Sequence, residues 1–430
     1  MQKEETRYRD LTLSLLNEFV AGDDLHGVGI RLWDGTCFPD DSPHRATIVL
    51  EHPGSLRSLI THGSEVELGE AYLYDDVDIE GDVEAVFNLD GLLTGRTAGA
   101  WQKLRAAAEL LALPSPPKHP APRRGPARLK GQVHSIQRDK EAIAYHYDVS
   151  NDFYALWLDR AMIYSCAYFR TPDDTLDRAQ EQKLEYICRK LRLEPGQRLL
   201  DIGCGWGGLA LFAARRGGVD VTGITLSQPQ VDLATQRIRE AGLEDRCRVL
   251  MRDYREMAGQ GPFDALVSVG MFEHVGANRL PAYFQEALDL LRPGGVFLNH
   301  GIAGRTGERS DGQPSFADAY VFPDGELTAV STTLREAEAA GFEIRDVESL
   351  REHYHLTLRR WVRRLEARHD DALKYVDEPT YRVWRLYMSG AAHGFDTGRL
   401  NVYQSLLARP ADSGRSRLPL TREDWYAQAS

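Results

Sequence analysis

Apolar positions along this chain fall into three regimes. The first opens with a helical stretch over residues 8–20, where Tyr8, Leu11, Leu13, Leu15, Leu16, Phe19 and Val20 supply the apolar side. Short strand-like runs follow, Gly29-Ile30-Arg31-Leu32-Trp33, Ala46-Thr47-Ile48-Val49-Leu50 and Val66-Glu67-Leu68, separated by turn signals such as Asp34-Gly35. Gly69–Asp76 leads into Val77-Asp78-Ile79-Glu80-Gly81, and a helix around Trp101 to Leu111 closes a small α+β domain over residues 1–112. The second regime, residues 113–130, is dense in proline and predicts a stiff linker, because proline excludes helix and central strand. The third, from residue 131, alternates strands and helices. Strands are predicted at Arg198–Ile202, Val219–Ile224, Arg248–Met251, Ala265–Val269, Val296–His300, Phe342–Ser349 and Asn401–Leu407. Helices are predicted at Leu209–Arg216, Gln228–Ala241, Pro281–Leu291 and Thr332–Ala340. This alternation implies a mostly parallel sheet with right-handed crossovers. A long aromatic and basic helical insertion, residues 351–399, interrupts it before the final strand, and a tail over residues 411–430 ends the chain.

Ligands of open parallel sheets bind beyond the carboxyl ends of the strands. Here those ends carry Gly203-Cys204-Gly205, Thr225-Leu226-Ser227, Asp253-Tyr254-Arg255, Gly270-Met271-Phe272-Glu273-His274 and His300-Gly301-Ile302. The run Leu199-Leu200-Asp201-Ile202-Gly203-Cys204-Gly205-Trp206-Gly207-Gly208 reads as strand, tight turn and helix start. Its glycines permit unusual backbone angles and let a ligand approach the main chain. A bare G-x-G also occurs in purely structural turns. A dinucleotide site wants G-x-G-x-x-G and an acid ending the second strand, whereas this second strand ends in Gly223-Ile224-Thr225. S-adenosylmethionine is therefore the better-suited nucleotide-like ligand.

Composition narrows the partners. The net charge of −12 and pI of about 5.6 remove a generally basic nucleic-acid footprint. The linker is nonetheless basic, with Lys118, Arg123, Arg124, Arg128 and Lys130, and so offers either a soluble hinge or a contact for anionic lipid head groups. Five scattered cysteines without C-x-x-C spacing resemble neither a disulfide framework nor a metal site, and point to a reducing, cytoplasmic compartment. The amino terminus has no apolar signal region, and no apolar run is long enough to span a bilayer, so any membrane contact is expected to be peripheral.

Taken together, Leu199–Gly208, Gly223–Ser227, Asp253–Arg255 and Phe272-Glu273-His274-Val275-Gly276 resemble the cyclopropane-fatty-acyl-phospholipid synthase family. So do His146-Tyr147-Asp148-Val149-Ser150-Asn151-Asp152-Phe153-Tyr154 and Tyr164-Ser165-Cys166-Ala167-Tyr168-Phe169. The likeness runs from about residue 140 to the final strand, and residues 1–112 resemble the extra domain of longer bacterial members. It implies a class I S-adenosylmethionine methyltransferase fold, an α/β Rossmann-like seven-stranded sheet, over residues 131–410. It also implies transfer of a methylene from S-adenosylmethionine to the cis double bond of acyl chains in membrane phospholipids, at the inner face of the cell membrane, and leaves a homodimer open. Cofactor ligands carry over onto Tyr164, Ser165, Asp201, Gly203, Gly205, Gly207, Thr225, Leu226, Ser227, Gln230, Tyr254 and Arg255. A bicarbonate ion that acts as base in that family would be held by Cys166, Glu273, His300, the backbone of Ile302, and Tyr354.

The residue types suit such chemistry. An alkene is a weak nucleophile, so donor and acceptor must be held in line. Attack leaves a cation on the acyl chain, for which Tyr168, Phe169 and Tyr354 offer aromatic faces. A small base must then remove a proton, and Glu273 and His300 would orient it. One departure stands out: members of the family often carry a cysteine before an A-G-A-F-like turn, where this chain reads Gly390-Ala391-Ala392-His393-Gly394-Phe395. No thiol from that region enters the mechanism. The same attack followed by hydride shift and proton loss would give a methyl-branched or methylene product, and the shared motifs leave both outcomes open. A non-catalytic lipid-binding protein and a small-molecule methyltransferase are weaker readings. Glu273, His300 and the glycine turn speak against the first, and the additional amino-terminal domain against the second.

Overall fold

The computed structural model describes residues 2–20, 25–61, 64–89, 107–115, 117, 125–127, 129–147, 149–306, 314–416 and 418–426. The linker cations Lys118, Arg123, Arg124 and Arg128, Asp148, and the start of the helix expected from Trp101 lie outside the described residues. The chain divides into two compact units, one of Met1–Ala127, Asp311–Val321 and Val376–His393, the other of Arg128–Ser310, Phe322–Tyr375 and Gly394–Ser430.

The first unit holds a four-stranded sheet of β1 (Val28–Arg31), β2 (Cys37–Phe38), β3 (Ala46–Leu50) and β4 (Val77–Gly81), in the order β2-β1-β3-β4. The apolar run Val66-Glu67-Leu68 is not the strand its residues suggest but part of the helix Glu65–Leu73. The reason is local. Ser64 accepts a hydrogen bond from the amide of Glu67, and the Glu67 carboxylate accepts one from the amide of Ser64, so a reciprocal cap nucleates the helix. Arginines of the helix Glu378–Asp396 explain why sequence-distant segments join this unit. Arg382 donates to the carbonyl of Tyr72 at 2.6 Å, and Arg385 to the Tyr72 hydroxyl and the Ile79 carbonyl, both at 2.9 Å.

The second unit is built on seven strands: β5 (Arg198–Ile202), β6 (Asp220–Thr225), β7 (Cys247–Met251), β8 (Phe263–Val269), β9 (Leu291–Ala303), β10 (Glu343–Ser349) and β11 (Asn401–Ala408), in the order β10-β11-β9-β8-β5-β6-β7. The bounds expected from the apolar runs hold to within two residues except at β9, which is longer. β5 to β9 pair in parallel; β11 lies antiparallel between β9 and β10. Alternate residues face two helical layers, as in a sheet buried on both sides. Leu199, Val267, Leu298 and Leu406 pack on one side with Leu184, Ile187 and Ala210. Leu200, Leu266, Phe297 and Leu407 pack on the other with Tyr283, Phe284 and Ala337. The order reverses between β5 and β8, and the crevice there opens at the strands' carboxyl ends, where the candidate residues sit.

Candidate active site

The cleft at this crevice is walled by main chain as much as by side chains. Gly203 and Gly205 follow β5 with φ of +77° and +54°, a region that side chains disfavour. The amides of Gly203 and Cys204 both donate to the carbonyl of Ile224, which fixes the turn. A Cβ on Gly203 would lie 2.6 Å from that of Met271, but one on Gly205 would meet nothing within 4 Å. Gly205 thus leaves a gap that a ligand can enter. Of the expected cofactor residues, Tyr164, Ser165, Asp201, Gly203, Gly205, Thr225, Leu226, Gln230, Tyr254 and Arg255 line the cleft. Gly207 and Ser227 do not line it. Gly207 starts the helix Gly208–Gly217, and Ser227 starts the helix Gln228–Glu240. Both brace the wall from behind: a Cβ on Gly207 would press Ala234 at 3.1 Å.

Asp201, the penultimate residue of β5, is 2% exposed. Burial pushes its carboxyl up to about 7, with the Lys183 ammonium opposing the rise. Its Oδ2 has no hydrogen-bond partner among the described residues. Thr225 donates to Oε1 of Gln230 at 2.6 Å, which sets both at the end of β6. Arg255 is committed to its neighbours. It bonds both oxygens of Asp253 at 2.7 Å, Asp139 at 2.8 Å and the carbonyl of His134 at 3.1 Å. Those bonds clamp the helix Ile136–Tyr147 against the cleft, and the Arg138–Asp324 ion pair holds the same helix.

The residues expected around a base come from four elements and do not line this cleft. Glu273, on the turn after β8, is 8% exposed; Oε1 accepts from the amide of Ile302 at 2.7 Å and Oε2 has no partner among the described residues. Burial raises its carboxyl to about 7, against the two backbone hydrogen bonds that lower it. The Ile302 amide is therefore spent on Glu273. His300, two residues earlier on β9, is 1% exposed and driven well below its ordinary value by burial and by the ammoniums of Lys183 and Lys190. Cys166 is fully buried and its thiol contacts the carbonyls of Ala167 at 3.3 Å and Leu350 at 3.6 Å. The Tyr354 ring packs tilted against Phe395 at 4.6 Å and edge-on to Trp361 at 6.1 Å. Trp361 continues to Tyr164 at 5.2 Å, so an aromatic path joins Tyr354 to the cleft wall.

One expectation is corrected. Tyr168 and Phe169 do not offer free faces to a cation. Tyr168 stacks between Tyr186 (4.6 Å) and His353 (4.8 Å), and the Arg360 guanidinium already covers Phe169 at 4.4 Å. The aromatic groups lining the cleft are instead Tyr147, Tyr164, Trp206 and Tyr254, with Tyr147 and Tyr164 edge-to-face at 6.2 Å and Tyr154 and Trp157 packed behind Tyr164. Of the basic cluster on the helix Arg351–Glu366, Arg360 is spent on the carbonyls of Pro172 and Leu356, and Arg364 on the Leu158 carbonyl and the Asp177 carboxylate. Missed altogether was Lys183, which lines the cleft, is 2% exposed and donates to the Ser165 hydroxyl at 2.9 Å. Burial lowers its ammonium to about 8.

Residues 134–405 match the family described as mycolic acid cyclopropane synthetase. A probable fatty acid methyltransferase of Pseudomonas putida is 44% identical over 404 residues, covering 92% of this chain and 95% of that one. The cyclopropane-fatty-acyl-phospholipid synthase of Escherichia coli K12 is 36% identical over 269 residues, covering 63% of this chain and 68% of that one. Among solved structures, mycolic acid cyclopropane synthase CmaA1 complexed with SAH and CTAB superposes with a TM-score of 0.60 at 35% identity, over 63% of this chain and 98% of that one. The seven-stranded unit has the class I S-adenosylmethionine methyltransferase fold.

Proposed function

Since the chain belongs to the mycolic acid cyclopropane synthetase family, we propose that it transfers a methylene from S-adenosylmethionine to the cis double bond of acyl chains in membrane phospholipids, forming a cyclopropane ring. The observation that carries the reading is the pairing of a glycine-walled cleft with an enclosed carboxylate. Gly205 leaves open space, and Glu273 is buried with one oxygen lacking a partner among the described residues. S-adenosylmethionine, when bound, supplies an activated methyl carbon, and a bicarbonate ion supplies a small base. The donor set fits the first group: the glycine turn, Asp201, Thr225, Gln230 and Tyr254 line one cleft. It fits the second in character, because a carboxylate raised to about 7 and a neutral imidazole can hold a hydrogencarbonate without repelling it.

In this reading Tyr164 and Ser165 close the reacting end of the cleft, and Lys183 holds the Ser165 hydroxyl in place. Glu273 and His300 orient the base, and Glu273 is itself fixed by the Ile302 amide. The rings of Tyr147, Tyr164, Trp361 and Tyr354 exclude water and present aromatic faces to charge developing on the acyl chain. Overall, two carbon–carbon bonds would form at the expense of the alkene π bond and one carbon–hydrogen bond of the transferred carbon, the sulfur–carbon bond would break with its electron pair left on sulfur, and the released proton would go to the base. No helix among the described residues is long and apolar enough to cross a membrane. We take the approach to lipid as peripheral, assisted by the basic linker, of which Lys130 is described and exposed.

Mass spectrometry of lipid extracts from cells with and without the protein tests the reading: acyl chains should gain the mass of one CH2 and lose their double bond. Unchanged lipids would overturn it. The P. putida relative favours a second reading, methylation of the double bond to a branched or methylene chain. Proton spectra of the isolated fatty acid separate the two, because ring methylene and branch methyl protons resonate apart.

A further inference from the structure

Residue Gln404 of β11 stands directly opposite His300 of β9 in the antiparallel register, so both side chains leave the same face of the sheet. They are 0% and 1% exposed. The Gln404 amide nitrogen lies 3.2 Å from Nδ1 of His300. Nε2 of His300 is also buried and has no hydrogen-bond partner among the described residues. The charges felt at this imidazole are the ammoniums of Lys183 and Lys190, both from the helix Leu176–Leu191 packed on that face. Both disfavour a second proton on the ring. The imidazole is therefore neutral and carries one proton, on one nitrogen or the other.

We propose that Gln404 is a positioning residue that fixes the tautomer of His300. By donating to Nδ1, it keeps that nitrogen an acceptor and places the ring proton on Nε2, as a hydrogen-bond donor for an anionic oxygen acceptor. This rests on the reading above that His300 orients the base. The logic follows from the donor inventory. An amide N–H can bond a neutral imidazole only at an unprotonated nitrogen, and the remaining nitrogen must then hold the proton. A donor at Nε2 attracts a small anion, whereas an acceptor there would repel it. β11 supplies this partner because it is inserted antiparallel beside β9. A glutamine one residue earlier or later would face the opposite helical layer.

The test begins with the unmodified protein, labelled with nitrogen-15 at histidine, with the His300 signals identified by their loss in His300→Gln. The expected result is a protonated Nε2 and an unprotonated Nδ1 across pH 6 to 9. A proton on Nδ1 overturns the proposal without any variant at Gln404. In Gln404→Leu, close in volume but without a donor, the expected result is a mixture of tautomers. The turnover number should fall about 10–100-fold, the usual cost of removing the partner that orients an imidazole, with unchanged affinity for S-adenosylhomocysteine. In Gln404→Glu the carboxylate should draw the proton to Nδ1 and depress turnover further. An unaltered Nε2–H tautomer in Gln404→Leu overturns the proposal. A shifted tautomer with undiminished turnover supports the positioning role and instead removes His300 from the proposed reaction.

Discussion

At Gly205 a Cβ would meet nothing within 4 Å, while the Glu273 carboxylate, on the adjoining strand's turn, is shut in at 8% exposure with one oxygen unpaired among the described residues. The first region recognises by omission. Glycines, a fixed turn and main-chain groups leave a hollow that any added side chain would fill. The second retains polar groups, since Oε2 of Glu273 and Nε2 of His300 are buried without a hydrogen-bond partner among the described residues, at a cost to folding. A cleft of the first kind is lost by adding a side chain, and a cluster of the second kind can be removed with a gain in stability. That is the contrast the experiments should break or sharpen.

The largest effect belongs to the enclosed cluster. Glu273→Gln or His300→Ala should lower turnover by about 10²–10⁴-fold, the range for loss of a group that assists proton transfer, and leave cofactor affinity nearly unchanged. Calorimetry with S-adenosylhomocysteine beside steady-state rates separates the two quantities. A parallel loss of affinity would show that the regions are one site and not two.

Next comes the open turn. Gly205→Val places a branched side chain where the ligand would lie, at a φ of +54°. Overpacking costs about 1–3 kcal/mol, or roughly 10–100-fold in affinity. The cofactor dissociation constant should rise by that much, and the left-handed φ, which a β-branched residue disfavours, should also lower the unfolding midpoint, though by less than in Gly203→Val. Gly203→Val is the control. Its Cβ would also run into Met271, so there the fold should weaken more.

The contrast was only partly legible in the sequence. The glycine turn and the strand ends could be placed because an apolar run bounded by Gly, Asp and Thr signals its own end. Lys183 could not, because in Gln180-Glu181-Gln182-Lys183-Leu184 it reads as one more polar residue of an amphipathic helix. Spacing defines a helix face but not what that face meets. The same gap hid the partners of Arg255 and Asp139, 116 residues apart. It also hid the partners of Arg360 and Arg364, which bind carbonyls and Asp177. The Gln404–His300 pairing needs the antiparallel placement of β11, which strand–helix alternation alone did not predict.

A smaller effect concerns stability. The Glu273 carboxyl is raised from 4.5 to about 7 in the folded protein, chiefly by burial. The folded state then binds the proton more tightly than the unfolded chain. Its contribution is fully present below pH 4.5 and is lost as pH rises through 7. Glu273→Gln removes this loss and should be the more stable protein at pH 8, by about 3 kcal/mol, with little advantage at pH 4.5. Urea titrations at both pH values check the sign. A wild-type protein that is more stable at pH 8 would mean that Glu273 is ionised and satisfied in the fold.

The smallest effect is expected at Cys166, which tests where the enclosed cluster ends. Its thiol is fully buried, burial pushes it far above the ordinary cysteine value, and its hydrogen points at backbone carbonyls. It is therefore neutral and its donor is already spent, unlike Glu273 and His300. Cys166→Ser keeps a donor of similar reach, so turnover should change by less than roughly fivefold, the worth of one ordinary hydrogen bond. In the folded protein, iodoacetamide should leave Cys166 unmodified at neutral pH, as expected for a protonated, inaccessible thiol. A loss in Cys166→Ser as large as that in His300→Ala would place the sulfur among the groups that hold the base. Slow labelling with near-normal turnover would confine the retained, unpartnered chemistry to Glu273 and His300.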